Sequence, residues 1–165
     1  MSEKFLYLLK KNPNAIKEGL SDILDQKSLD QIQIEIDKNV KELFRLGMNH
    51  YNFAKTIHSN NWRHKISRLY YAAYNISRSV RLHTVGVYST DSEDHKRIGE
   101  LPNDFPNQNR YIAGLVELRD DRNISDYDHT ANIEDTKLGI DNACSLVEDF
   151  LNDADHYLKN RNVIL

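Results

Sequence analysis

SLDQIQIEIDKNVKELFRLGMNHYNFAKTI, residues 28–57, decides the fold class. Apolar or small side chains fall at Leu29, Ile32, Ile36, Val40, Leu43, Phe44, Gly47, Tyr51, Ala54 and Ile57. Those intervals of three and four hold one face of an α-helix for about eight turns. Ser28 and Gln31 have the form of a capping box at its start, in which the Ser oxygen accepts from a first-turn N–H and the Gln reaches back.

Working outward, Asn60-Asn61 ends this helix and a second runs from about Trp62 to His83, with Ile66, Leu69, Tyr70, Ala73, Ser77 and Val80 on one side. Tyr71 and Tyr74 fall off that stripe, and the small residues Ala72, Ala73 and Ser77 permit close approach, so this helix is expected at the centre with apolar contacts on more than one face. Upstream, a short helix over Glu3 to Lys10 is broken by Asn12-Pro13-Asn14, and another is expected over Ala15 to Asp25. Downstream, Val85 to Asn107 is longer than an ordinary connection and is expected to be partly helical around Glu93 to Gly99. Two further helices follow. One carries Tyr111, Leu115, Leu118 and then Arg122 on its stripe; the other carries Ile133, Ile140, Ala143, Val147, Phe150, Leu151, Ala154 and Leu158. With six Gly, three Pro and no alternating run of useful length, the chain reads as all-α: an up-and-down bundle of four main helices over residues 28–160, preceded by a helical extension over residues 1–27.

Composition narrows the function classes. A length of 165 residues fits one domain, and a net charge of −3 argues against a strongly electropositive nucleic-acid binder while leaving room for a local basic patch. Cys144 is the only cysteine; its place on the last stripe marks a packed thiol rather than a nucleophile. No signal-peptide pattern and no stretch near the roughly 20 apolar residues of a membrane span are present, so a soluble cytoplasmic protein is expected. No histidine pair has zinc-site spacing and no Gly-rich phosphate loop occurs, so neither metal nor cofactor is expected.

Ionisable residues concentrate in Arg119-Asp-Asp-Arg-Asn-Ile-Ser-Asp-Tyr-Asp-His129, at the junction of the last two helices. Arg122 continues the apolar stripe of one helix and should face its packed side. His129 lies four residues before Ile133 and would face inward if the final helix reached back that far. Ser125, Asp126 or Asp128 would cap that helix. A guanidinium and an imidazole held by two rigid helices suit phosphate chemistry; the competing reading is a buried Arg paired with Asp126 or Asp128, with the His as a helix cap. Elsewhere, Asp91-Ser-Glu-Asp-His95 reads as a solvated acidic loop. Arg63, Lys65, Arg68, Arg78 and Arg81 make the second helix basic, either as an RNA-backbone track or as a salt-bridged face. Tyr70 and Tyr71 are candidates for base stacking or for the core.

Three segments resemble the HEPN superfamily, the helical domains named for higher eukaryotes and prokaryotes nucleotide-binding proteins. These are Ser67-Arg-Leu-Tyr-Tyr-Ala-Ala-Tyr74, His95-Lys96 followed by Phe105, and Arg122-Asn-Ile-Ser-Asp-Tyr-Asp-His129, an Arg and a His separated by six residues. The likeness spans about Asn39 to Leu158. It implies a four-to-five-helix bundle, commonly dimeric, whose active members are metal-independent endoribonucleases with the Arg and His of both protomers in one cleft. By that resemblance, Arg122 would hold the scissile phosphate and His129 would exchange a proton with the ribose 2′-hydroxyl. Asn123, Asp126, Tyr127, Arg119 and Arg68 would contribute to substrate binding. Toxin-like RNase action with an antitoxin or operon partner is one implied function; a non-catalytic module binding nucleotide, RNA or a protein partner is the other. Asp126-Tyr127 also matches relatives with Arg followed by Asp-Tyr and no His, in which Arg122 and Tyr127 would form a binding or structural pair.

Overall fold

The computed structural model describes residues 17–86, 89 and 91–165. Its long elements are α1 (Gln26–Thr56), α2 (Trp62–Thr84), α3 (Gln108–Tyr127) and α4 (Gly139–Lys159), with 3-10 turns at Ser59–Asn61, Ser92–Arg97 and Ile133–Asp135. Among the described residues there is no strand. The helix expected over residues 3–10 lies outside the described residues, as does the first part of the one expected over 15–25; of the latter, residues 17–19 are helical and turns follow.

The stripe of α1 is buried as its spacing requires: Ile32, Ile36, Val40, Leu43, Phe44, Gly47, Tyr51 and Ala54 all face the core. Its start differs from expectation. Asp25 is the N-cap, its carboxylate accepting from the Ser28 N–H at 2.7 Å, so Ser28 already lies inside the helix. A carboxylate one turn earlier serves the free N–H groups and also suits the positive end of the helix dipole.

The short turn after α1 sends α2 back along it, and α2 also packs against α3 and α4, while those two touch each other little. Thus α2 is the central helix, and it buries Ile66, Leu69, Tyr70, Ala72, Ala73, Tyr74, Ile76 and Val80 around most of its circumference. The small-residue approach is real at Gly47, where a Cβ would stand 2.9 Å from the Ala72 carbonyl and 2.7 Å from the Ile76 side chain. One core runs from Ile32 through Tyr70, Tyr111 and Phe150 to Val163. Cys144 is half-buried against that core, and burial pushes its thiol pKa up.

Two polar clusters fix the ends of the bundle. Asp94, on the 3-10 turn after α2, is buried and accepts 3.1 and 3.0 Å bonds from Arg81 and a 2.9 Å bond from the Tyr74 hydroxyl. The acidic segment Asp91–His95 is thus solvated only in part: Asp91 and Glu93 are exposed, while Asp94 is drawn inward because Arg81 of α2 would otherwise be buried without a counter-charge. At the other end, Arg63 donates to the carbonyls of Ile124, Ser125, Asp128 and Ala131, which holds the chain as it leaves α3. This arginine of the basic run is a structural clamp.

Helix α4 does not reach back to His129. Ser125 and Asp126 lie within α3, Asp128 closes a turn onto Thr130, and Ile133 sits in a 3-10 turn capped by Asn132 and Asp135. The helix begins only at Gly139, whose φ of +69° suits a glycine. Asp121, fully buried on α3, accepts from the N–H groups of Lys137 and Leu138 at 2.7 and 3.0 Å. Asp121 thus anchors the chain just before α4, and none of Ser125, Asp126 and Asp128 caps that helix, whose start has no side-chain cap. No helix among the described residues is long and apolar enough to cross a membrane.

Candidate functional site

A cleft of about 630 Å³ opens where α2, α3 and the Ser92–Arg97 turn meet, lined by Tyr70, His95, Lys96, Arg119, Arg122, Asn123 and Tyr127. Three cations line it and no carboxylate does. Its floor is backed by Tyr70, which is fully buried and whose hydroxyl lies 2.6 Å from Nδ1 of His95. Burial raises the Tyr70 pKa, so the phenol keeps its proton.

Arg122 is placed by three aromatic rings. Its guanidinium carbon lies 5.6, 5.5 and 5.1 Å from the ring centres of Tyr70, Tyr71 and Tyr127, within cation–π range. One terminal nitrogen donates to the Tyr71 hydroxyl at 2.8 Å. The other makes longer bonds, 3.2 Å each, to the Asn123 side chain and the Tyr127 hydroxyl. Nε is 2.8 Å from an Asp126 oxygen but off the direction of a hydrogen bond, so that contact is an ion pair only. The fork is therefore anchored firmly on one side and loosely on the other. Asn123 and Tyr127 are exposed, and a phosphate oxygen can take their place at the loose side at little cost.

The imidazole of His95 is fixed as firmly. It stacks on Tyr74 with centres 4.3 Å apart at 21°, and its neighbour Asp94 is locked to Arg81. Burial, then the charges of Arg122 and Arg78, lower its pKa, against an opposing pull from Asp94; the ring is neutral at pH 7. Lys96 and Arg119 complete the cationic wall. Each also touches a carboxylate at the rim: Lys96 pairs with Glu93 in full exposure, a contact that exchanges readily for a ligand anion, while Arg119 pairs with the half-buried Asp120, which Lys137 shares.

Of the residues singled out from the sequence, Arg119, Arg122, Asn123 and Tyr127 meet in this cleft. Asp126 stands beside it as the ion partner of Arg122. Arg68 does not line it; its guanidinium lies over the Phe53 ring and 3.5 Å from His50 Nδ1. His129 does not line it either. It is exposed on the turn after α3, because that turn breaks the helical register that would have aimed it inward. His95 and Lys96, which the sequence marked as part of a segment carrying the HEPN resemblance, line the cleft, and Tyr70, a candidate for base stacking or for the core, is buried behind it. Arg122–Tyr127 pairing, one of the alternatives implied by that resemblance, is present.

Fold and site together define an all-helical bundle with a cationic, aromatic-walled cleft on its central helix. No protein-family model, curated protein or solved structure matches the chain. Among the described residues, no group of three or more His, Cys, Asp or Glu is placed to hold a metal ion.

Proposed function

We propose that this is a HEPN-type protein whose cleft holds a phosphate of RNA or of a nucleotide, with Arg122 as the central donor. The observation that carries this reading is the convergence of Arg119, Arg122 and Lys96 on one cleft whose lining contains no acid, beside an exposed aromatic ring at Tyr127. A planar fork matches phosphate oxygens, and Tyr127, 72 % exposed, offers a stacking face for a base. Dimerisation and capture by an antitoxin or operon partner belong to the same HEPN reading.

The test is titration of a labelled single-stranded RNA by fluorescence anisotropy. Arg122→Gln is expected to weaken binding roughly ten- to a hundredfold, the worth of charge-assisted hydrogen bonds, and Arg45→Gln on the exposed face of α1 to leave it unchanged. Equal affinity in all three proteins removes the assignment.

Cleavage by an Arg122–His129 pair is the second reading. The observation in its favour is that Arg63 holds the His129 turn by carbonyls on both sides of it, Asp128 and Ala131, so that an exposed imidazole is presented outward in a fixed place. Such a site needs a second copy of the chain to bring that imidazole to a cleft. Light scattering at increasing concentration tests for that dimer, and a strictly monomeric chain excludes the pair.

A further inference from the structure

We propose that His95, rather than His129, is the proton acceptor for the metal-independent RNA cleavage that the HEPN resemblance implies. The inference rests on the phosphate-binding reading above and adds to it the residue that moves the proton. Three observations carry it. His95 lines the cleft with Arg122 within a single chain. Its ring is held by the Tyr74 stack, the Tyr70 hydroxyl and the buried Asp94–Arg81 pair next to it, which is the rigidity a proton-transfer group needs. Of its two ring nitrogens, Nδ1 is the one that meets the Tyr70 hydroxyl, which leaves Nε2 as the nitrogen for proton transfer.

The Tyr70 hydroxyl both accepts and donates. When it accepts from Nδ1–H, Nε2 carries the lone pair. With a backbone phosphate on Arg122, Nε2 takes the proton of the adjacent ribose 2′-hydroxyl. The 2′-oxygen then bonds to phosphorus, the bond from phosphorus to the 5′-oxygen breaks, and that oxygen leaves with the proton returned from the imidazolium. The products are a 2′,3′-cyclic phosphate and a 5′-hydroxyl, and no co-reactant is consumed. Arg122, Arg119 and Lys96 offset the charge that develops on the phosphoryl oxygens.

The groups facing His95 are Tyr70, Tyr71, Tyr74 and Arg78 from α2, Arg122 from α3 and Asp94 from its own turn. A neutral imidazole is the active form, so the rate should rise with pH and level off, with a midpoint below the ordinary histidine value of about 6.5.

The experiment uses the full chain, excess chelator and a short single-stranded RNA, following cleavage, end chemistry and anisotropy in parallel for wild type, His95→Asn, His95→Gln and His129→Asn. Expected are cyclic-phosphate ends from wild type, about a hundredfold slower cleavage in both His95 variants with affinity within a few-fold, and an unchanged rate in His129→Asn. Loss of cleavage in His129→Asn with His95→Gln active overturns the proposal. Should the His95 variants unfold, the wild-type profile decides: a rate flat from pH 5 to 7 overturns it. RNA bound through Arg122 but left uncut overturns the reaction and leaves the binding reading standing; RNA neither bound nor cut overturns both.

Discussion

Arg122 of α3 donates a 2.8 Å hydrogen bond to the hydroxyl of Tyr71 on α2, one of two tyrosines that stand off their own helix's apolar stripe. That single contact joins the two walls of the cleft. It also fixes which side of the guanidinium is committed to the protein and which side is left for a ligand.

Tyr71→Phe keeps the ring and deletes the acceptor. Stability should fall by about 1 kcal/mol, the usual net worth of such a bond, and RNA affinity by several-fold because the fork is no longer pre-oriented. Urea denaturation and anisotropy check the two separately; no change in either would show that the stacked tyrosines alone place Arg122.

Asp94→Asn leaves Arg81, only 3 % exposed at its side chain, without its counter-charge. Removing one member of a buried pair costs about 3–5 kcal/mol. Denaturation midpoints should show that loss, and the double variant Asp94→Leu with Arg81→Met should recover most of it. A loss under about 1 kcal/mol would mean that water reaches Arg81.

Asp121→Ala removes the acceptor for two amides at the start of α4. The cost should be about 1–3 kcal/mol, as for part-buried donors left without their acceptor. Hydrogen exchange should quicken first at the Lys137 and Leu138 amides and spare the middle of α4.

Gly47→Ala places a methyl group against the Ala72 carbonyl and the Ile76 side chain. Backbone cannot yield as a flexible side chain can, so about 1–3 kcal/mol of overpacking is expected, visible as a lowered unfolding midpoint. An unchanged midpoint would place slack between α1 and α2.

Stability should fall as pH drops below about 6.5. Burial lowers the folded-state pKa of His50, His83 and His95. The unfolded chain therefore binds more protons than the folded one between those lowered values and the ordinary one, and stability rises with pH across that window. The shifted carboxylates titrate lower still, at or below the ordinary Asp range, so they do not mask it. Thermal unfolding at a series of pH values checks this; a midpoint that is flat from pH 7.5 to 5.5 would contradict it.

Much of this was legible in the sequence, and the reason is locality. Helical period is written in residues three and four apart, so the stripes of α1, α2 and α4, the centrality of α2 and the inward aim of Arg122 could all be read directly. The four cleft residues on α3 lie within nine positions of one another, from Arg119 to Tyr127, and one helix holds them.

What the tertiary structure alone decided is which imidazole joins Arg122. The sequence places His129 seven positions from Arg122 and His95 twenty-seven away, yet the nearer one is carried out to solvent and the farther one into the cleft. Chain distance fails here because neither histidine sits on a long helix. One follows a turn clamped by Arg63 and delimited by Asp121, and the other rides a 3-10 turn pulled inward by Asp94. Each of those anchors is a contact between residues remote in sequence, made because a buried charge or an open helix end must be satisfied. Periodicity cannot encode such contacts; packing the helices together creates them.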